Sequence, residues 1–320
     1  MQSAPQQRPR LGISSCLLGE RVRYDGAHKR DPFLVETFGE FVEWVPVCPE
    51  VECGLPVPRE AMRLVGRADS PRLVTVRTGV DLTEKMRAWA ARRVRELEKE
   101  NLVGYVFKSG SPSSGMMRVK VYDAKNVPRQ VGVGIFARAF MEHFPLLPVE
   151  EESRLHDPGL RENFIERIFA LDRWRRFRRS GGGRGGLVDF HARHKLLLMS
   201  HSPALLRQMG ALVAHADRRR QDELLETYER LMMKALSLPA TRPKHANVLQ
   251  HMMGYVKKTL SADEKREMLD VIDRYRKRLL PLIVPVTLIR HYVRKYDVAY
   301  LREQCYLDPH PMELRLRNHA

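Results

Sequence analysis

Over the first 145 residues, short apolar runs alternate with stretches of helical periodicity. Leu11-Gly-Ile-Ser-Ser reads as a strand running into a loop at Cys16, and Phe41-Val-Glu-Trp-Val-Pro-Val as a second strand ending at Cys48. Arg72-Leu-Val-Thr-Val-Arg is β-rich, and Val103-Gly-Tyr-Val-Phe-Lys is a further strand that enters Ser109-Gly-Ser-Pro-Ser-Ser-Gly. Asp81-Leu-Thr-Glu-Lys opens a helix through about Leu102, with Thr83 as its cap because a hydroxyl there can accept the free amides of the first turn. Val131 to Phe144 reads as another helix. Strands separated by helices predict an α/β domain over residues 1–150, Rossmann-like with a mostly parallel sheet. Ligands of such open sheets lie beyond the carboxyl ends of the strands. The loops at Cys16, at Cys48 and at 111–115 each follow a strand and can therefore meet at one site.

Residues 149–158 read as a linker, and beyond them the pattern is helical almost to the end. From Leu160 to Arg178, apolar residues at 164, 165, 168, 169, 171, 174 and 177 lie close to one helical face. Ser180-Gly-Gly-Gly-Arg-Gly-Gly interrupts that face. Helical patterns follow at 187–199, 202–216, 219–237, 242–259, 261–279 and 281–294, with no strand pattern and no fixed-period repeat. Residues 151–320 are thus expected to form an all-α C-terminal domain.

Composition narrows the class of protein. Hydrophobic residues make up 43% and charged residues 30%, as in a folded globular chain. No stretch approaches the roughly 20 apolar residues of a membrane helix. Met1 to Arg10 is polar, lacks the apolar core of a secretory signal and points to the cytoplasm. Four cysteines, at 16, 48, 53 and 305, make no disulfide framework. Charge changes the picture most. The net is +17, of which residues 1–150 carry +5 and the remaining 170 carry +12. That asymmetry nominates a polyanion, nucleic acid first, as the partner of the C-terminal half; a very soluble basic protein is the plainer account.

Candidate chemistry lies in the three N-terminal loops. Gly19 and Gly26 flank the Cys16 segment and suit a tightly turning backbone. Cys48 sits in Pro46-Val-Cys-Pro-Glu-Val, where Pro49 ends the sheet ladder. Both cysteines suit a thiolate metal site, but spacing alone favours small buried hydrophobes, since no Cys-x-x-Cys pair is present. Glu50 lies two residues beyond Cys48, on the same face if the chain is extended. It can act as a general base or pair with Arg59 or Arg63. The small-residue run 109–115 resembles an anion nest, without the Gly-Lys-Ser/Thr ending of a P-loop.

In the C-terminal half, Phe190-His-Ala-Arg-His-Lys sets His191, His194 and Lys195 within one turn, too few ligands for a zinc site. Further cationic clusters lie at Arg173-Trp-Arg-Arg-Phe-Arg-Arg, at Thr241-Arg-Pro-Lys-His and at Arg290-His-Tyr-Val-Arg-Lys-Tyr. Phosphates attract such clusters and their aromatic residues can stack on unpaired bases; each is also a plausible solvated helix face. The candidate RNA contacts are Arg193, Lys195, Lys244, His245 and Arg290.

At its N-terminal loops the chain resembles the thiouracil desulfidase family. The resemblance is carried by Ile13-Ser-Ser-Cys-Leu-Leu-Gly with Arg23-Tyr-Asp-Gly, then Val47-Cys-Pro-Glu, Gly54-Leu-Pro-Val-Pro-Arg and Ser111-Pro-Ser-Ser-Gly. The second half resembles the helical domain fused to such proteins in bacteria, through Phe190-His-Ala-Arg-His-Lys, Lys244-His-Ala-Asn-Val-Leu-Gln-His-Met-Met-Gly-Tyr and Leu282-Ile-Val-Pro-Val-Thr. The fused form resembles the bacterial tRNA 4-thiouridine desulfidases, which return that base to uridine. This resemblance implies a [4Fe-4S] cluster held by three cysteines, its fourth iron open to the substrate sulfur. Two of the cysteines fall on Cys16 and Cys48, while the third position holds Ser114, a harder and poorer ligand than a thiolate. Cys53 either substitutes for it or is a bystander. The resemblance further implies non-redox hydrolysis, with Glu50 activating water and Ser111 orienting substrate or relaying a proton.

Three readings follow. One is a desulfidase acting on tRNA that contains 4-thiouridine, with no membrane and no obligate protein partner. The second is an RNA-binding protein whose cluster site is disabled, with Ser114 as its evidence. The third is a desulfidase of free thiobases, against which the +12 charge of the helical half counts.

Overall fold

The structure is a computed structural model that describes residues 8–218 and 220–318. Positions 1–7, on which the N-terminal reading rests, and 219, the first residue of one expected helix, lie outside the described residues, as do 319 and 320. The chain divides into two compact units between Asp157 and Pro158.

In chain order the first unit carries β1 (Arg10–Ser14), β2 (Glu43–Val47), a one-turn helix α1 (Pro49–Glu52), β3 (Met62–Gly66), β4 (Pro71–Thr75) and α2 (Thr83–Glu98). It continues with β5 (Tyr105–Phe107), β6 (Val119–Tyr122), β7 (Pro128–Gly132), α3 (Ile135–His143) and β8 (Val149–Glu151). One sheet is wholly parallel, in the order β2-β1-β5-β8. Residues 11–14 of β1 are all buried, the mark of a strand covered on both faces. In register, Ser14 lies beside Val47 and Ile13 beside Val106, so β1, β2 and β5 end together. The connections that leave β1, to β2, and β5, to β8, run towards opposite edges, which makes the β1/β5 boundary a topological switch point.

Aromatic packing holds the helices to this sheet. Tyr105 and Phe107 of β5 meet Phe140 of α3 at 4.7 and 5.6 Å between ring centroids, and Trp89 of α2 meets Phe136 at 5.3 Å. All five are buried. Burying a phenylalanine side chain contributes about 1.5–3 kcal/mol.

The α/β class agrees with the sequence pattern, and several details differ. Arg72-Leu-Val-Thr lies in a second, mixed sheet of order β4-β3-β6-β7, antiparallel to β3. The expected helix from Val131 starts only at Ile135, because residues 128–132 pair with β6 as β7. Helix α2 stops at Glu98, and just ahead of it the Asp81 carboxylate accepts the Thr83 amide at 2.9 Å. Thr83 instead turns its hydroxyl inward to accept the Leu73 amide at 2.8 Å. The expected linker 149–158 opens as β8, paired with β5.

The second unit is helical: α4 (Pro158–Arg179), α5 (Arg184–His201), α6 (Pro203–Ala214), α7 (Gln221–Ser237), α8 (Arg242–Val256), α9 (Ala262–Arg276), α10 (Ile283–Lys295) and α11 (Ala299–Arg302). Trp174 of α4 stacks on Tyr228 of α7 at 5.1 Å and donates its indole N–H to Glu229. Only residues 180–183 of the glycine-rich run break the helix; Gly185 and Gly186 continue as the first turn of α5. No helix among the described residues is long and apolar enough to cross a membrane.

Candidate active site

Three loops leave the carboxyl ends of β1, β2 and β5, and all three line one cavity of about 380 Å³. Cys16 enters it from a single 3₁₀ turn, Ser15–Leu18, directly after β1. Its carbonyl accepts the amides of Gly19 and Lys29, which folds the following segment back over the strand end. Gly19 and Gly26 both take positive φ there.

Cys48 ends β2 and occupies the position before α1, with Pro49 in the first helical turn. The chain at Glu50 is therefore helical, not extended as the spacing argument assumed. The helical turn still brings Glu50 to Cys48, at 3.5 Å between Sγ and Oε2. Glu52 accepts the Cys48 amide at 2.9 Å and is held by Arg93, so the turn is anchored to α2.

The loop after β5 supplies the third wall. Ser111 Oγ accepts the amides of Ser113 and Ser114 at 3.3 and 3.1 Å and lies 2.9 Å from Ser113 Oγ. Ser113 donates its hydroxyl to Glu50 Oε1. Gly134 lets the start of α3 press onto this loop, where a Cβ would stand 2.4 Å from the Ser113 carbonyl oxygen. The anion nest expected here is not open. The amides of Ser109, Ser113, Ser114 and Gly115 are already bonded, to Glu152, to Ser111 Oγ twice and to the Ser111 carbonyl.

The expected site residues Cys16, Cys48, Glu50, Ser111 and Ser114 all line this cavity. Sequence reasoning passed over Ser113, which links Ser111 to Glu50, and gave Arg59 as one of two alternative ion-pair partners of Glu50. Arg59 is buried beside Glu50, with Nη2 3.8 Å from Oε2. Its Nη1 donates to the carbonyls of Val22 and Pro56. The Gly54-Leu-Pro-Val-Pro-Arg run was the available signal for it. Cys53 is not among the lining residues and gives its thiol proton to the Glu50 carbonyl at 3.2 Å.

Burial pushes the Cys16 thiol up to about 11, against the pull of nearby Lys108. Burial and the charge of Glu50 push Cys48 up to about 12. Neither thiol is ionised by its surroundings near neutrality, so neither is an activated nucleophile. Two sulfur donors and the Ser114 hydroxyl in one cavity fit a thiophilic metal group at the two cysteines, since a metal displaces thiol protons. The hydroxyl is the weak corner of that set.

In the helical unit the expected RNA contacts part company. Lys244 turns inward, its ammonium donating to the carbonyls of His201 and Pro239 at 2.7 and 2.8 Å. His245 is buried, with Nδ1 3.0 Å from the Tyr306 hydroxyl. Each helix puts part of its cationic cluster on the packed face, and these two side chains are engaged there. Arg193 is exposed and pairs with Glu303; Arg290 pairs with Asp308. Lys195 is half-buried in a groove among α5, α6 and α8. His194, weighed above as a metal ligand, packs on Phe190 with both ring nitrogens engaged, by the Phe190 carbonyl and Arg173.

Residues 11–152 match the family described as 2-thiouracil desulfurase, and residues 195–311 the family described as protein of unknown function DUF1722. Over 158 residues the chain is 35% identical to the uncharacterized protein YbgA of Escherichia coli K12, covering 49% of this chain and 94% of that one. It is 30% identical over 108 residues to the uncharacterized protein YbbK of Bacillus subtilis 168, covering 32% of this chain and 71% of the relative. A solved structure, the [4Fe-4S]-dependent thiouracil desulfidase TudS, is 27% identical over 47% of this chain and 95% of its own, with a TM-score of 0.39. The shared lengths and identities make the chain a relative of YbgA and, separately, of YbbK, and it belongs to a family with a 2-thiouracil desulfurase region ahead of a DUF1722 region.

Proposed function

We propose that the chain is an iron–sulfur-dependent desulfidase that removes sulfur from 4-thiouridine in tRNA, leaving uridine and sulfide. The observation that carries the desulfidase part is the convergence of Cys16, Cys48, Glu50, Ser111 and Ser114 on one cavity within a 2-thiouracil desulfurase region. Cys16 and Cys48 would hold a [4Fe-4S] cluster, with Ser114 at the third position. When bound, that group supplies a Lewis-acidic iron for the thiocarbonyl sulfur. Everything else is work for the protein. Glu50 takes a proton from water so that its oxygen can attack the ring carbon, and the C–O bond replaces the C–S bond. Ser113 and Ser111 continue the hydrogen-bond chain from Glu50 and can carry that proton onward. Arg59 lies beside the carboxylate and opposes charge build-up on the reacting base.

The tRNA part rests on the +12 charge of residues 151–320, which suits phosphates and would fix position with little sequence reading. A base stacked inside tRNA must be exposed before it reaches the cavity.

Ser114 favours a second reading, an RNA-binding protein whose cluster site is disabled. One experiment separates them. The chain and its Ser114→Cys variant are reconstituted anaerobically with iron and sulfide, and iron content, cluster absorbance and loss of 4-thiouridine from thiolated tRNA are followed. Conversion by either protein supports the desulfidase. Iron-free proteins that both bind tRNA would leave the second reading standing.

A further inference from the structure

The helical unit holds a second cavity, of about 780 Å³, whose walls come from α5, α6, α8 and α11. Its aromatic wall is Tyr255 on α8 stacked against Tyr300 on α11, with ring centroids 4.7 Å apart and planes 30° from parallel. Tyr255 is 42% exposed, and the His251 ring meets it edge-on at 5.7 Å between centroids. Lys195 on α5 and Arg207 on α6 line the same cavity. Neither is paired with a carboxylate among the described residues, although ion pairs occupy Arg193 and Arg290 elsewhere in the unit. No acidic side chain among the described residues lines the cavity, while Asn247 adds an amide with both a donor and an acceptor. His191 is fixed by the Tyr228 hydroxyl at 3.1 Å through Nδ1.

An aromatic pair, two unneutralised cations and one amide are the parts that hold a base, a phosphate and a base edge. We infer that this cavity binds an unpaired nucleotide, its base stacked on Tyr255 and its phosphate held by Lys195 and Arg207. An acidic peptide would use the cations and leave the exposed tyrosine face without a role. The inference deepens the RNA-capture part of the proposed function and rests on it for the source of the nucleotide. It gives the basic unit a specific grip on a looped-out or terminal residue in addition to diffuse attraction to phosphates. Such a grip favours an RNA whose bases are already unstacked.

The test uses the full chain without iron and RNA without sulfur, so its outcome is independent of the desulfidation assay. Binding of a fluorescent single-stranded tetrauridylate is followed by anisotropy, beside a blunt RNA duplex and with UMP as competitor. Tyr255→Ala should weaken tetramer binding about ten- to a hundredfold, the usual effect of losing one stacked base. Tyr255→Phe should keep affinity within about threefold, since it retains the ring. Lys195→Gln and Arg207→Gln should each lower the salt dependence by about one phosphate contact. Displacement by UMP would identify a free nucleotide as a sufficient ligand; failure of UMP with retained tetramer binding would identify an RNA segment. Both support the nucleotide site. Unchanged tetramer affinity in a Tyr255→Ala protein with native circular dichroism would overturn it, and so would preference for the duplex.

Discussion

Ser113 donates a hydrogen bond from its hydroxyl to the carboxylate of Glu50, tying the loop after β5 to the helical turn after β2 across 63 residues of sequence. The bond orients the carboxylate within the cavity that also holds both cysteines. It makes the two halves of the site one unit: Ser113 depends on Ser111, and Glu50 on Arg59.

Removing either partner should have separable effects. Glu50→Gln keeps the shape and removes the base, so turnover by the reconstituted protein should fall about 10²–10⁴-fold with iron content unchanged. Ser113→Ala should cost about 1 kcal/mol of stability in urea unfolding and produce a smaller loss of turnover. A Glu50→Gln protein with unaltered turnover would remove Glu50 from the chemistry.

Thiol reactivity in the iron-free protein should follow burial. With Cys16 pushed up to about 11 and Cys48 to about 12, alkylation of both should be slow near neutrality. It should rise about tenfold per pH unit up to those values, because only the thiolate reacts. Glu50→Gln takes away a negative neighbour, so Cys48 should alkylate faster in that variant while Cys16 changes less. Site-resolved mass spectrometry after timed iodoacetamide exposure measures both.

Acid should weaken the helical unit through His194. Burial pushes its imidazole down to about 3, from 6.5 in an unfolded chain, and burial likewise pushes His310 down to about 4. Between pH 6.5 and about 4 the unfolded chain binds protons that the folded one refuses. Stability is therefore full above 6.5 and falls by about 1.4 kcal/mol per pH unit per histidine as pH drops through that window. Urea unfolding at pH 7, 5.5 and 4.5, followed through Trp174 in a Trp44→Phe/Trp89→Phe background, gives the slope. His194→Gln should flatten it by one proton's share.

The buried ion network at the end of the chain should be intolerant of single losses. Arg317 stands 3.0 Å from Glu166 and 3.4 Å from Glu162, and His201 approaches Glu166 at 3.1 Å. Burial alone would raise Glu166; His201 and Arg317 hold its carboxyl well below the usual range instead. Arg317→Met leaves those carboxylates buried beside an apolar side chain and should destabilise the unit by about 3–5 kcal/mol. Adding Glu166→Gln should recover part of that loss in the same unfolding assay.

Local periodicity determined much of this architecture in advance. Strands β1, β2 and β5 and the long helices from α4 to α10 carry contiguous or periodic apolar residues, and burial of those residues is what forms them. The convergence of the Cys16, Cys48 and 111–115 loops also followed from strand order, because parallel strands bring their carboxyl ends to one edge. Strand β7, Pro-Arg-Gln-Val-Gly, exposes four of its five residues, and β8 is Val-Glu-Glu with both glutamates buried. Neither shows an alternating apolar pattern; backbone pairing with β6 and β5 makes them strands. Tertiary structure likewise decided which serine meets Glu50 and which cations face solvent. Lys244 and Lys195 are the same residue type, each in a short run with histidine. Hydrogen-bonding partners 43 and 61 residues away, His201 for Lys244 and Tyr306 for His245, settle their direction, and such partners are chosen only when the helices pack.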